Sequence, residues 1–298
     1  MAVDLKKIDT EKRNERTMHI DTLSTLDMAA LINSEDHKCA QAVKEVLPEI
    51  AQAIDVIYEK LRRGGRLFYV GAGTSGRLGV LDAAECPPTY GVDPGLVVGL
   101  IAGGPSAFIK AVEGAEDNAE LGKADLMEQH FSGDDAVVGI AASGRTPYVI
   151  GALDYARSLG APAIALTCCH NSAMAEHADI TIAPVPGPEV ITGSSRMKSG
   201  TCQKLVLNML STCVMIKLGK VYGNLMVDVQ ATNEKLRHRA VSIVCAATGE
   251  SEEAARQALA ACGSSCKTAI VMLLLGLEAD KAKAALEAAD GRIAQAIK

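Results

Sequence analysis

Aromatic residues are scarce in this chain of 298 residues, which has three Phe, six Tyr and no Trp. Proteins that bind single-stranded nucleic acid stack bases on aromatic side chains, and nucleic-acid binders in general carry a basic surface. Here the net charge is −6. The lack of aromatic residues and the acidic balance therefore argue against a nucleic-acid partner.

Long hydrophobic runs are also missing. A membrane-spanning helix needs roughly 20 apolar residues, whereas one of the longest apolar runs here is Val271–Leu275. The stretch from Asp4 to Arg16 is charged and has no apolar segment of the kind found in secretory signals. We therefore expect a cytoplasmic protein with no membrane partner.

The nine cysteines and six histidines show none of the paired spacings that are typical of zinc sites. Several cysteines instead lie in apolar patterns, as Cys202, Cys213 and Cys245 do. Free cysteines of this kind behave as small buried hydrophobic residues. We predict reduced, buried thiols and no metal site.

Hydrophobic periodicity predicts a doubly wound parallel α/β sheet with helices on both faces. Residues 24–63 are expected to be helical, with Ser24 as N-cap and a break just before Pro48. Strand-like and helix-like segments then alternate, and the strands are near-continuous apolar runs, as in sheets covered on both faces. The predicted strands are 66–70, 96–101, 136–141, 162–168 and 179–184, and the predicted helices between them include 105–113, 117–130 and 147–159.

A different pattern follows the last strand. The Pro/Gly-rich segment 184–193 leads to a long amphipathic helix that ends near Gly219, and from Asn233 onward the pattern is helical throughout, with Ser251 and Asp280 as expected N-caps. We therefore predict three parts: an N-terminal helical arm (1–56), a central α/β domain (57–225) and a small C-terminal helical domain (226–298).

Two loops have the same arrangement of residues after a predicted strand. Gly71–Arg77 follows the apolar run Leu67–Val70, and Ser143–Pro147 follows the apolar run Ala136–Ala142. Each loop contains small hydroxyl-bearing residues and opens a helix, so backbone N–H groups and the positive end of a helix dipole point to one place. Such a turn favours a phosphate. Two such loops favour a phosphorylated polyol, whose other oxygens also need partners.

Other interpretations of the first loop were weighed. Gly71–Gly76 matches the G-x-G-x-x-G fingerprint of dinucleotide-binding proteins. That site also requires an acidic residue at the end of the second strand, but the segment there is Ile101–Pro105 and the next carboxylate is Glu113. A tight glycine turn without a ligand is another interpretation, yet such a turn does not require hydroxyls and an arginine, twice.

Two carboxylates and one cationic turn complete the candidate site. Glu85 lies where Pro87 and Pro88 are expected to stop a helix, and Glu116 lies at the start of one. Either could be an ordinary surface acid or dipole partner, but two acids beside a sugar phosphate are suited to proton transfer. The turn Ser194–Lys198 is either a second anion clamp or a capped helix with solvated charges.

Five segments resemble the N-acetylmuramic acid 6-phosphate etherases, which belong to the SIS (sugar isomerase) superfamily and are related to the glucokinase regulatory protein. The resemblance covers essentially the whole chain, including Asn224–Asp228 and the helical tail. The segments are Gly71–Arg77, Asp82–Tyr90, Glu113–Asp117, Ala142–Pro147 and Gly187–Lys198.

The resemblance implies a carbon–oxygen lyase of peptidoglycan recycling that needs neither metal nor redox cofactor. Glu85 would protonate the departing lactate, and Glu116 is the favoured base at C2. The substrate-binding set would be Gly73, Thr74, Ser75, Ser143, Gly144, Arg145, Thr146, Ser194, Ser195, Arg196 and Lys198.

Within that set, Ser143, Arg145 and Thr146 would hold the 6-phosphate, and Thr74 and Ser75 the sugar oxygens. Arg196 and Lys198 would bind the lactyl carboxylate or serve the structure. A sugar-phosphate isomerase and a non-catalytic sugar-phosphate sensor remain alternative functions. A homodimer is also expected, from the resemblance and from an apolar stripe on the N-terminal helices.

Overall fold

The computed structural model describes residues 9–110, 112–229 and 234–298. The first eight residues of the predicted arm, and Asn233 at the predicted start of the C-terminal helices, lie outside the described residues. The chain forms two compact units: Met1–Ala84 with Gly95–Ser211, and Glu85–Pro94 with Thr212–Lys298.

Two helices precede the sheet, as predicted. Helix α1 spans Thr25–Glu45 and α2 spans Leu47–Arg62. The Ser24 side chain accepts a hydrogen bond from the N–H of Asp27, which confirms the N-cap. The break falls at Val46, because Pro48 is tolerated in the first turn of a new helix but not inside a continuing one.

The apolar stripe of α2 does not form an exposed patch. Its Ile50, Ile54, Ile57 and Leu61 side chains are buried within the chain. These side chains pack inside the first unit, so the stripe does not support the predicted dimer.

The sheet of the first unit has five parallel strands in the order β2-β1-β3-β4-β5, which confirms the doubly wound fold. The order reverses between β1 and β3, and in such sheets ligands bind beside that reversal, at the carboxyl ends of the strands. The strands are β1 Leu67–Gly71, β2 Val97–Ile101, β3 Ala136–Ile140, β4 Ala163–Leu166 and β5 Ile180–Ile182.

Two predictions about the helices around this sheet are wrong. The helices are α3 Gly73–Tyr90, α4 Ala119–Glu128, α5 Pro147–Ser158 and α6 Lys198–Lys217. The predicted helix 105–113 is only a 3₁₀ turn, Pro105–Phe108, because glycines with positive φ, Gly104 and Gly114, bound the segment. Helix α3 continues through both prolines and ends at Gly91, whose φ of +62° allows its N–H to donate to the carbonyl of Pro87 at 2.9 Å.

One side of the sheet is covered by α4 and α5, which pack closely because glycines lie between them. A Cβ on Gly122 would lie 1.9 Å from the carbonyl oxygen of Tyr148, and one on Gly151 would lie 2.0 Å from that of Ala119. Neither position has room for a larger residue. This contact fixes α5, and therefore the loop before it, against the rest of the unit.

The second unit contains a short hairpin, β6 Val221–Tyr222 and β7 Leu225–Met226, and a bundle of helices. Ser251 caps α8 as predicted. The predicted cap Asp280 is wrong, because α10 begins at Ala279 and its N-cap is Glu278, two residues before Asp280. The helices are α7 Glu234–Thr248, α8 Glu252–Ala261, α9 Cys266–Leu275, α10 Ala279–Ala288 and α11 Ile293–Ala296.

Within the described ranges, no single helix is long and apolar enough to cross a membrane. The pair α8 and α9 reaches the required length and composition only when taken together, and the two helices are bent by 115°.

Candidate active site

The two hydroxyl loops lie side by side at the carboxyl edge of the sheet. Strands β1 and β3 are neighbours, with Gly71 opposite Ile140 in register. Neighbouring strands lie about 4.8 Å apart, so the first loop, Gly71–Arg77, and the second loop, Ser143–Pro147, start from adjacent points. The structure therefore brings the two predicted anion-binding turns together at the reversal of strand order.

The second loop offers several unused donors. The backbone N–H groups of Ser143, Arg145 and Thr146, and the side chains of the same residues, find no acceptor in the described part of the chain. Thr146 is the N-cap residue of α5, but its hydroxyl makes no capping bond. Hydroxyls, N–H groups and one exposed guanidinium thus converge on a single turn, as phosphate binding requires.

Gly144 shapes this loop. Its φ is +65°, a conformation that favours glycine. A Cβ at this position would lie 2.2 Å from Cβ of Ser172 and 2.6 Å from Oγ1 of Thr167. The loop therefore rests directly on the segment that follows β4.

Glu116 is held beside the second loop by its backbone. Its carbonyl oxygen accepts the N–H of Tyr148, in the first turn of α5, at 3.0 Å. The Glu116 side chain is exposed and lines a cavity of about 180 Å³ together with Glu113 and Gly73. This predicted acid therefore stands between the two loops.

Some polar groups of the first loop are free to bind a ligand, and others are bonded within the protein. In an α-helix the first N–H groups have no intrahelical acceptor, so those of Gly73, Thr74 and Ser75 at the start of α3 face outward along its axis. The Ser75 side chain, however, is buried and donates to Oε1 of Gln203 at 2.9 Å. Thr74 and Gly73 are therefore better placed than the Ser75 hydroxyl to reach sugar oxygens.

Arg77 closes the first loop but does not face a ligand. Its Nε donates to the carbonyl of Phe108 at 2.7 Å, and its Nη2 donates to that of Ala107 at 3.0 Å. The guanidinium therefore anchors the connection between β2 and α4.

The turn before α6 lies next to the first loop. A Cβ on Gly200 would be 3.5 Å from Cγ2 of Thr74 and 3.7 Å from the carbonyl oxygen of Ser195. Ser194 and Ser195 are partly exposed, and the Arg196 side chain is exposed without a partner among the described residues. This turn can therefore supply a cation to the rim of the site.

Lys198 is separated from that rim. Its side chain has no exposed surface, and its Nζ donates to Oε2 of Glu35 at 2.8 Å and to the carbonyl of Pro186 at 3.1 Å. Of the two roles considered for Lys198, this geometry fits the structural one.

Glu189 occupies the N-terminus of α6. Its two carboxylate oxygens accept the backbone N–H groups of Lys198 and Ser199, each at 2.9 Å, and the Ser199 hydroxyl. A carboxylate of the protein itself therefore fills the place where a helix N-terminus would attract a substrate anion. This helix N-terminus is therefore occupied by the protein's own carboxylate.

Glu85 lies in the second compact unit, on the last turns of α3, and its side chain is exposed. Asp82, one turn earlier and in the first unit, has a structural role. Burial raises the pKa of its carboxyl group, against hydrogen bonds from Ser211 and Tyr69.

Sequence reasoning missed Glu113, Glu189 and Gln203. Glu113 belongs to a motif that was identified, and only its place on the cavity wall was unknown. Gln203 reaches Ser75 across 128 residues of sequence, and Glu189 reaches Lys198 and Ser199 across 9 and 10 residues of irregular chain. No local pattern reveals such contacts.

All nine cysteines are free thiols. No group of three or more His, Cys, Asp or Glu side chains in the described ranges is placed to hold a metal ion.

Models of known protein families match three regions of the chain. The N-terminal SIS domain of glucokinase regulatory protein matches residues 49–157, the SIS domain matches residues 118–213, and the C-terminal lid domain of glucokinase regulatory protein matches residues 223–262. Among solved structures, a phosphoheptose isomerase from Francisella tularensis has a TM-score of 0.51 at 19% identity, over 65% of this chain and 100% of that one. At this identity the likeness shows the fold alone.

Two curated relatives extend over the whole chain. The N-acetylmuramic acid 6-phosphate etherase of Aliivibrio fischeri is 59% identical over 297 residues, which are 100% of this chain and 99% of that protein. The corresponding etherase of Clostridium beijerinckii is 58% identical over 99% of this chain and 97% of that protein. Full-length identity at this level, together with the SIS fold, confirms the resemblance seen in the motifs: the chain belongs to the N-acetylmuramic acid 6-phosphate etherase family of the SIS superfamily.

Proposed function

We propose that this protein cleaves the lactyl ether of N-acetylmuramic acid 6-phosphate, giving N-acetylglucosamine 6-phosphate and (R)-lactate in peptidoglycan recycling. The observation that carries the proposal is the hydrogen bond from the Tyr148 N–H to the Glu116 carbonyl. This bond supports the proposal because it ties the backbone of an acidic residue to the first turn of α5, next to the loop whose donors have no acceptor in the described part of the chain.

The chemistry needs one base and one acid. In the open-chain sugar, the C2 proton is acidic because C2 is adjacent to the C1 aldehyde. Removal of that proton forms the C2–C3 double bond as the C3–oxygen bond breaks, and the departing lactate oxygen takes a proton. Water then adds its hydroxyl to C3 of the enal, and C2 recovers a proton.

Each candidate residue has a place in this scheme. Glu116 removes the C2 proton, because it stands between the two loops. Glu85 protonates lactate, an assignment that rests on the family resemblance. Ser143, Arg145 and Thr146 bind the 6-phosphate through the donors of the second loop. Gly73 and Thr74 contact the sugar.

Arg196 is proposed to hold the lactyl carboxylate. Its guanidinium is exposed at the rim formed by Ser194 and Ser195, and a bidentate fork suits a carboxylate. Lys198 is left out of this role, because it is fully buried in its pair with Glu35.

The direct test is to incubate the protein with N-acetylmuramic acid 6-phosphate in excess EDTA and to measure the released lactate with a coupled assay. Lactate should appear, and product made in D₂O should carry deuterium at C2. A sugar-phosphate isomerase would exchange the C2 proton without releasing lactate, and a non-catalytic sensor would do neither. Release of lactate without deuterium at C2 would contradict the elimination and indicate direct displacement.

A homodimer is proposed on different grounds from the α2 stripe. Strand β2 lies at the edge of the sheet, and beside it Phe108 and Ile109 are 38% and 86% exposed, next to an apolar cavity of about 510 Å³. Exposed apolar side chains beside an open strand edge are typical of an interface. Light scattering should give twice 31.1 kDa, and Ile109→Asp should give the monomer mass; a monomeric active wild type would refute the dimer.

A cytoplasmic location is proposed from the thiols. Nine unpaired cysteines are typical of proteins in reducing compartments.

A further inference from the structure

A small cavity beside the first loop has walls of a distinct chemical kind. Its volume is about 180 Å³, and it lies between the first loop and the segment that carries Glu116. Most of its lining is small and apolar, and the rest is acidic. The lining residues are Ala72, Gly73, Ala102, Ala107, Val112, Glu113, Gly114 and Glu116.

The charge of this lining selects against anions. Glu113 and Glu116 contribute two carboxylates, and no Lys or Arg is among the lining residues. Like charges repel each other at close range. A phosphate or a lactyl carboxylate in this cavity would face that repulsion, so both ionised groups of the substrate must bind outside it. A neutral group with an apolar end and an N–H donor fits the lining.

We propose that this cavity binds the 2-acetamido group of the substrate, with its methyl against Ala107 and Val112 and its N–H toward the Glu113 carboxylate. The assignment rests on the proposed function. If Glu116 removes the proton from C2, the nitrogen attached to the same carbon lies one bond away from the reacting atom. The acyl group then enters the cavity that Glu116 itself lines.

The size of the cavity agrees with this occupant. An acetamido group has four heavy atoms, comparable with four water molecules of about 30 Å³ each. The cavity of about 180 Å³ is therefore large enough for the acyl group. We expect the apolar wall, in which Val112 is the largest side chain, to limit the length of the acyl chain.

The wall is built to stay in place. Arg77 donates to the carbonyls of Ala107 and Phe108, which fixes the 3₁₀ turn. On the other side, a Cβ on Gly103 would lie 2.6 Å from Cβ of Val112. Val112 therefore packs directly on the glycine that follows β2, and its own side chain is 45% exposed at the mouth of the cavity.

Val112 gives the sharpest test, because a partly exposed residue tolerates substitution. Val112→Ala should enlarge the cavity, and Val112→Phe should fill it. The substrates are muramic acid 6-phosphates carrying N-acetyl or N-propionyl groups. One methylene in an apolar pocket changes kcat/KM by about tenfold or more. We expect Val112→Ala to improve the N-propionyl to N-acetyl ratio of kcat/KM about tenfold, and Val112→Phe to raise KM for the N-acetyl substrate by a similar factor.

A binding measurement separates this proposal from the reaction. Calorimetry on wild type should show tighter binding of N-acetylglucosamine 6-phosphate than of glucose 6-phosphate, by about tenfold, and Val112→Phe should remove that preference. Leu159→Ala is the matched control, since Leu159 is 40% exposed at the far end of α5. Each variant is used only after light scattering shows that it has the same molecular mass in solution as the wild type.

The outcomes are distinct. If wild type releases lactate but the acyl preference is the same in Val112→Ala, Val112→Phe and the control, the cavity does not bind the acetamido group and the proposal is overturned. If wild type releases no lactate from either substrate, the proposed function is wrong. The calorimetric preference for N-acetylglucosamine 6-phosphate, and its loss in Val112→Phe, then test by themselves whether the cavity binds the acetamido group.

Discussion

The ammonium group of Lys198 lies 2.8 Å from the carboxylate of Glu35, and neither side chain has any exposed surface. Glu35 also accepts hydrogen bonds from Asn14, Arg16 and Lys38. Burial by itself would raise the pKa of Glu35, but the bonds from Lys198, Lys38 and Asn14 outweigh it and hold the pKa at about 2. This pair joins helix α1 to the first residue of α6, directly after the Ser194–Arg196 turn.

The pair should make stability depend on acid pH. The folded pKa of Glu35 lies below its ordinary value of 4.5, so its contribution is complete above pH 4.5 and is lost as the pH falls toward 2. Glu35→Gln should lower the free energy of unfolding at pH 7 by about 3 kcal/mol, because it leaves the Lys198 charge buried and unpaired. It should also flatten the pH dependence between 4.5 and 2, measured by urea unfolding.

Glu59→Gln is the control for that measurement. Glu59 forms exposed ion pairs with Arg62 and Arg63, and such surface pairs contribute about 0–1 kcal/mol. An effect of Glu35→Gln no larger than that of Glu59→Gln would show that the buried pair does not stabilise the fold.

Substitutions of Glu116 and Glu85 should block different steps of the reaction. Glu116→Gln should stop both lactate release and exchange of the C2 proton with D₂O. Glu85→Gln should slow lactate release by about 10²–10⁴-fold, while C2 exchange of the substrate continues, because the base remains. Lactate assays and NMR of the recovered sugar separate the two. Glu120→Gln, an 86% exposed acid on α4, should behave as wild type; loss of exchange in Glu85→Gln would reverse the assignment.

The second loop should determine recognition of the phosphate. Ser143→Ala with Arg145→Ala should raise KM about a hundredfold, since each hydrogen bond to a charged group contributes about 1.5–3 kcal/mol. The matched control is Arg157→Ala with Ser158→Ala at the other end of α5, where both side chains bond to nearby carbonyls. An equal KM in the two double variants would place the phosphate elsewhere.

Gly144 should tolerate no side chain. Gly144→Ala introduces both the positive-φ strain, about 1–2 kcal/mol, and the clash with Ser172. Gly160→Ala has a similar φ of +73° but no atom within 4 Å, so it should show the strain alone. We expect Gly144→Ala to be less stable than Gly160→Ala by about a further 1–3 kcal/mol, and Ser172→Gly to recover part of that difference in thermal unfolding.

Much of the fold could be predicted because its signals are local. Runs such as Ala136–Ala142 identify buried strands, and Ser24 and Ser251 mark helix starts through their own hydroxyls. The predicted helix 105–113 failed because apolar periodicity outweighed the two bounding glycines. The prolines of α3 were expected to end the helix, but it continues for two further residues, to Tyr90, and the positive φ of Gly91 follows.

The site was predictable only in part. Hydroxyls and glycines after strands identify anion-binding turns, because that chemistry is contained in a few consecutive residues. Whether a side chain points to the ligand or to the protein is decided by distant partners, such as Gln203 for Ser75 and Glu35 for Lys198. The domain limits at 56 and 225 stay a prediction.

The network around Glu35 also has a consequence for the order of events during synthesis. Asn14 donates to the carbonyl of Pro188, 174 residues later in the chain, and Lys198 follows Glu35 by 163 residues. A ribosome makes about 5–20 residues each second, so the first helices wait on the order of ten seconds or more before their charged partners emerge. During that interval the Glu35 carboxylate has only Asn14, Arg16 and Lys38 to pair with, and the arm can close over its ion pair only after the whole sheet has been made.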